Sequence, residues 1–266
     1  GGFIGLEMAE NLVHRGVSVA IVEMLDQVMP AMDIEMAAFI HDHLREKGVD
    51  LRLGDGVDRF DREDGRILAR TKSGKTISCD MVVMSVGIRP ESGLARDAGL
   101  DVAKDGRIQV DETLRTSDPD IFAVGDAVAV RNFINGLPAA TPLAGPANKQ
   151  ARIAADNIAG RRSVFRGTLG TAVVKVFDLA VASTGCSEKW LVQNGLPCRV
   201  SYTHSGSHAG YYPGAESIAV KLVFSPGNGK VLGAQMIGRA GVDKRIDVIA
   251  TAIRGGMTVF DLEELE

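Results

Sequence analysis

The opening of the chain constrains it most. Gly1-Gly2-Phe3-Ile4-Gly5 supplies the last two glycines of a G-x-G-x-x-G turn, and Glu23 follows at the distance expected of a ribose-binding acid. Between them, Met8, Ala9, Leu12 and Val13 recur at helical spacing, Gly16 is a stop, and residues 17–22 form a β-branched strand ending at Glu23. In such a turn Gly2 lets the backbone approach a pyrophosphate and Gly5 lets the helix pack closely on the sheet. The helix N-terminus supplies amide donors to the anion. The strand and first glycine that precede this pattern elsewhere are not in the sequence, so the chain is expected to be the downstream part of a longer protein. Glu23 can accept from a ribose 2′-hydroxyl and would repel a 2′-phosphate, and Met24 and Leu25 bring no cation to reverse that. NADH is therefore favoured, with NADPH possible.

Asp33 is placed to cap a second helix bearing Met36, Ile40 and Leu44 on one face, stopped by Gly48 before a short strand at 49–53. Over 57–78 the residues alternate, interrupted by the hairpin signals Asp64-Gly65 and Ser73-Gly74. The continuous apolar run Met81-Val82-Val83-Met84-Ser85-Val86 predicts a strand buried on both faces. Strands are expected at 106–110 and 121–124, the second stopped by Gly125-Asp126. A helix is expected from Pro146 to Ile158, with Pro146 suited to its first turn. From 167 onward the pattern predicts strands at 172–177, 180–184, 198–204, 218–224 and 230–237, a short helix at 187–193 and a closing helix at 242–254. That order is an α+β arrangement.

With 45% hydrophobic and 24% charged residues over 266, the chain can bury real cores and is expected to hold more than one domain. A net charge of −4 with scattered Lys and Arg argues against nucleic acid. No apolar stretch nears the roughly 20 residues of a bilayer span and no leader is visible, which predicts a cytoplasmic protein that does not cross a membrane. Cys79, Cys186 and Cys198 are an odd, widely spaced set without C-x-x-C, which fits a reducing compartment and argues against zinc or a disulfide framework. Cys186 precedes a short helix, a setting that can lower a thiol pKa, but it reads as structural. His41 and His43 lie two apart on a helix, so they face apart and cannot pair as ligands; no metal site is expected.

Asp126 stands just beyond the strand at 121–124, where open α/β sheets bind ligands; the residues alone allow either a sugar-hydroxyl acceptor or a solvated turn. The run Gly1 to Glu7, Ser85-Val86-Gly87-Ile88-Arg89-Pro90, Ile121-Phe122-Ala123-Val124-Gly125-Asp126 and Pro142-Leu143-Ala144-Gly145-Pro146-Ala147-Asn148-Lys149-Gln150 together resemble the FAD-dependent pyridine nucleotide-disulfide oxidoreductases, in that family's order and over essentially the whole chain. The resemblance implies an α/β fold: a Rossmann-like NAD domain over about 1–90, the second half of an FAD domain over about 91–165, and an α+β interface domain over 166–266 that builds a homodimer. It implies that the first FAD half and the redox cysteine lie upstream.

Carried over residue by residue, the resemblance puts Glu7 near the nicotinamide and Gly87 beside NADH. Asp126 would bind the FAD ribityl, with Gly125 allowing close approach, and the backbone of Leu143, Ala144 and Ala147 would face the flavin ring. Residues 171–177 and Ala182-Ser183-Thr184-Gly185 are similar to the branch of NADH oxidases, NADH peroxidases and coenzyme A-disulfide reductases, which uses a single redox cysteine. Ser207-His208-Ala209-Gly210-Tyr211-Tyr212-Pro213-Gly214-Ala215 looks particularly like coenzyme A-disulfide and persulfide reductases, where a tyrosine of the partner subunit reaches that cysteine. Tyr211 and Tyr212 are both candidates. His204 and His208 flank this loop and read as solvated, with contact to a substrate phosphate as the alternative. The implied activity is NADH-dependent reduction of coenzyme A disulfide or a persulfide; an NADH oxidase or peroxidase, or an inactive NADH-binding and dimerising fragment, are the rivals.

Overall fold

Helix α1 (Phe3–His14) starts directly from the glycine turn, with Gly2 as its N-cap and no side chain capping it. It ends where Gly16 adopts φ +76°, so that the Gly16 and Val17 amides bond back to Val13 and Leu12. Strand β1 (Ala20–Val22) follows, then α2 (Ile34–Glu46) and β2 (Asp50–Arg52), which pairs in parallel with β1. A meander of β3 (Val57–Glu63), β4 (Arg66–Thr71) and β5 (Thr76–Cys79) comes next. Its first turn has Asp64 at φ +49° and Gly65 at φ +81°, the paired left-handed residues that a two-residue hairpin needs. These coordinates, a computed structural model, describe residues 1–265.

Residues 88–172 form a unit of their own. It contains α3 (Gly93–Asp97), the short pair β6 (Val130–Arg131) and β7 (Pro138–Ala139), and α4 (Ala144–Ile158). Its core is Leu114, Val128, Val130, Ile153, Ala154 and Phe165. The strands expected at 106–110 and 121–124 are reduced here to single bridges, Ile108 with Val102 and Val128, and Phe122 with Arg115.

The chain from Val173 on rejoins the unit begun by Gly1–Gly87. It runs β8 (Ala172–Val176), β9 (Leu179–Gly185), α5 (Glu188–Gln193), β10 (Arg199–Gly206), β11 (Ser217–Phe224), β12 (Val231–Gly238), α6 (Val242–Gly255) and α7 (Val259–Glu263). The five strands lie in the order β10-β11-β12-β9-β8. Both faces of the central strands are buried, and the two-residue strand period sorts the side chains between them. Val181, Ala219 and Ile237 join Met36, Ile40 and Leu44 of α2, whereas Ala182, Ile218 and Met236 join Val242 and Ile246 of α6. The apolar stripe of α2 thus covers this sheet as well as its own region.

One expectation fails clearly. Residues 81–86 form no strand, and Met81, Met84 and Val86 are exposed, Val86 by 83%. A strand is held by ladder hydrogen bonds to a neighbour, and the open edge of β1 carries none among the described residues, since β1 pairs only with β2. Apolar composition predicted burial; without a ladder partner the segment stays irregular. α4 also begins two residues earlier than expected, at Ala144, and α3 and α7 had no clear periodic signal because each spans five residues.

Candidate functional site

At the start of α1 the backbone is laid open. A methyl group added to Gly2 would meet nothing within 4 Å, so a ligand can approach the peptide there. On Gly1 the same methyl would stand 2.7 Å from Glu23 Oε2 and 3.2 Å from Val28 Cγ1, so no larger residue fits without a shift. On Gly5 it would make ordinary contact with Ser85 Oγ at 3.4 Å, which sets Ser85 against the first turn of α1. That turn has neither a side-chain cap nor an acidic residue, so its amides and the positive end of the helix dipole remain available to an anion.

Glu23 stands beside this turn, directly after β1. Its Oε1 accepts from the Leu25 amide at 2.9 Å, and Oε2 lies 2.9 Å from the Gly1 nitrogen. Burial works to raise its pKa, and hydrogen bonds from the Leu25 and Met24 amides work against that by favouring the charged carboxylate. The result is an ionised acceptor next to an open anion cradle, a donor and acceptor set that fits the diphosphate and adenosine ribose of a dinucleotide. Glu7 is exposed on α1, and Gly87 adopts φ +100°, where any side chain would be strained.

In the unit of residues 88–172, Gly125 adopts φ +87° and its amide donates to Gln150 Oε1 at 2.7 Å. Gln150 is buried on α4, so it ties the Gly125-Asp126 turn to that helix and leaves the Asp126 carboxyl exposed. Sequence reasoning assigned Gln150 no role, and with Asn148, Lys149 and Arg152 beside it on α4 nothing in the sequence singles it out. Leu143 is the N-cap of α4, and Ala144 and Ala147 lie in its first turn, which again has no side-chain cap and no acid. A ribityl hydroxyl at Asp126 and an anionic flavin edge at the α4 start fit this donor set.

Tyr211 and Tyr212 sit in the loop between β10 and β11, 92% and 66% exposed. Ser207 closes the loop through reciprocal bonds with Glu216, Arg245 of α6 donates to the Ser207 carbonyl, and the His208 ring packs edge-on to Tyr212 at 5.7 Å. The phenols are therefore held outward on a braced loop.

Three features eluded sequence reasoning. Asp33 is the N-cap of α2 by position, but its carboxylate makes no cap bond there. It accepts instead from the Glu188 and Lys189 amides of α5, at 3.1 and 2.9 Å, and from Gln235 Nε2 at 2.8 Å. Secondly, Asp33, Glu35 and Glu188 converge within 4.8 Å, the spacing of a metal site, but the buried Lys221 ammonium pairs with all three. Burial works against that charge, yet hydrogen bonds to Asp33, Glu188 and Glu35 raise its pKa above the ordinary lysine value. Thirdly, the histidines are structural: His41 Nε2 accepts from the Val28 amide at 3.1 Å, and His43 pairs with Asp178 at 2.6 Å. Hydrogen bonding to Lys47 leads in lowering the Asp178 pKa to about 2. Cys186 is buried, and burial raises the pKa of Cys198.

A glycine turn feeding an uncapped helix, an ionised acid after the next strand, and an antiparallel sheet between two helical layers define a mixed α/β protein with a site suited to a dinucleotide. Residues 1–151 match the pyridine nucleotide-disulphide oxidoreductase family and residues 171–265 its dimerisation domain; the chain belongs to this family. Over its full length it is 35% identical to an NADH oxidase of Methanocaldococcus jannaschii and 33% identical to a coenzyme A disulfide reductase of Staphylococcus aureus, spanning 59% of each. Among solved structures it superposes on reduced Bacillus anthracis CoADR-RHD with a TM-score of 0.97 at 50% identity, covering 48% of that chain. It also matches an NAD-dependent persulfide reductase from A. fulgidus with a TM-score of 0.96 at 43% identity, covering 50% of that chain. The chain thus spans about half the length of the relatives it matches.

Proposed function

We propose that the protein to which this chain belongs is an NADH-dependent flavoprotein that reduces coenzyme A disulfide or a persulfide. The observation that carries the reading is the ionised Glu23 beside the open Gly2 peptide at the uncapped start of α1. Bound NADH would supply hydride, and FAD would relay its electrons to sulfur. The chain's own residues bind and orient. Amides at the start of α1 would hold the diphosphate, Glu23 the adenosine ribose, and Glu7 with Gly87 would line the nicotinamide end. Asp126, fixed by Gly125 and Gln150, would hold the ribityl chain, with Leu143, Ala144 and Ala147 facing the ring. Tyr211 or Tyr212 would reach the sulfur centre of a partner protomer, where a phenol can hydrogen-bond a thiolate or polarise a disulfide.

On this reading the NAD domain covers about 1–90, half of the FAD domain 91–165, and the interface domain of a homodimer 166–266. The protein would act in the cytoplasm, with Cys79, Cys186 and Cys198 as thiols and no nucleic-acid partner. Names of relatives and the tyrosine loop favour disulfide or persulfide as acceptor; the NADH oxidase relative supports oxygen as the second reading. Assays of the full-length polypeptide with coenzyme A disulfide, polysulfide and oxygen decide between them. Disulfide or persulfide turnover is expected; oxygen consumption alone would reverse the ranking, and failure to bind either NADH or FAD would overturn the proposal. The 266-residue chain by itself is expected to bind NADH but to be colourless or weakly loaded with flavin.

A further inference from the structure

The peptides around Gly1 and Gly2 are held by the loop that follows Glu23, and that loop is held from far along the chain. The Met29 amide donates to the Gly1 carbonyl at 2.8 Å, with Met29 itself in the left-handed region at φ +50°. Val28 closes on Gly1 from the side and is fixed through its amide by His41. A non-glycine residue stays at such a φ only when its surroundings over-determine it. Here Gln27 does so: its buried Nε2 reaches the carbonyls of Met32, Met29 and Val28, at 2.8, 3.3 and 3.4 Å. Gln27 is in turn set by Lys189 of α5, whose Nζ donates to Gln27 Oε1 at 3.3 Å and to the Met32 carbonyl. Asp33, at the end of the same loop, accepts from the Lys189 amide.

We propose that Lys189 is a positioning residue for dinucleotide binding: from α5 it fixes the 27–32 loop, and through Met29 that loop sets the glycine turn. This rests on the dinucleotide reading of that turn. The ammonium bonds to the loop rather than to the glycine turn; its role is to hold Gln27 in the orientation that leaves the Met29 amide aimed at Gly1. Removing it loosens the polar anchoring of the loop and blurs the geometry to which the diphosphate and ribose bind, while Val28, Met29 and Met32 keep their places in the apolar core under α2.

The test is a titration with ADP-ribose, the part of NADH that the turn and Glu23 would hold, and with NADH, at a temperature where circular dichroism shows every variant folded. Lys189→Met is expected to weaken ADP-ribose binding about tenfold, as loss of one charge-assisted contact network does, with Lys189→Arg returning most of it. Hydrogen exchange at the Met29 amide should speed up in Lys189→Met. If Lys189→Met does not fold, Gln27→Leu, which removes the other half of the contact, is read in the same way. A folded variant that binds ADP-ribose as tightly as the unmodified protein overturns the inference and leaves the dinucleotide reading standing. No binding of NADH or ADP-ribose by the unmodified protein overturns both.

Discussion

Replacing Lys221 by Met removes the cation at the centre of the best-connected polar cluster in the unit. The side chain is fully buried, and its Nζ lies 2.8 Å from Asp33 Oδ2 and 2.7 Å from Glu188 Oε2, with Glu35 as third partner. Removing one side of a buried ion pair costs about 3–5 kcal/mol. Two details select the lower end. Glu35 and Glu188 are about 40% exposed at the side chain and can turn to water, and Asp33, the one carboxylate that cannot, keeps three donors in Gln235 and the α5 amides. The expected cost is therefore about 3 kcal/mol, or a melting point lower by about 6–12 °C for a chain of this size.

The pH dependence sharpens the test. In the native protein burial works to raise the Glu35 pKa, but the Lys221 hydrogen bond, with lesser contributions, holds it below the ordinary value; that contribution is lost as pH falls through the folded pKa. In Lys221→Met three carboxylates lie within 4.8 Å of one another with no cation among them, so the cluster takes up a proton above the ordinary carboxylate range and regains stability as pH falls. The gap in melting point between the two proteins should therefore narrow from pH 7 to pH 5. A gap under about 2 °C at pH 7, or one that widens on acidification, would refute the reasoning.

Gly2→Ala should fold normally, since a methyl there meets nothing, yet weaken NADH binding about tenfold or more by occupying the approach to the diphosphate; isothermal titration checks it. His41 accepts from the Val28 amide, and burial, aided by Arg45, lowers its pKa, so its contribution is present above about pH 6.5 and lost as pH falls toward the folded value. His41→Gln should flatten this part of the stability profile between pH 7.5 and 5.5 in denaturant titrations; an unchanged profile would remove His41 as its source.

The sequence by itself determined the local elements and one chemical motif. Glycines at 2, 16, 48 and 65, the apolar stripes of α1 and α2, and the alternation over 57–78 are short-range patterns, and each maps onto an observed turn, helix or strand. Tertiary structure decided where side chains of ambiguous use would go. Asp33 has the composition of a helix cap but caps another helix, because α5 packs within reach of its carboxylate. Lys221, Gln150 and Lys189 look like surface residues in sequence, and only long-range packing gives them buried partners. The run 81–86 shows the converse: its composition predicts a strand, but a strand is a property of two segments, and the second cannot be read from the first.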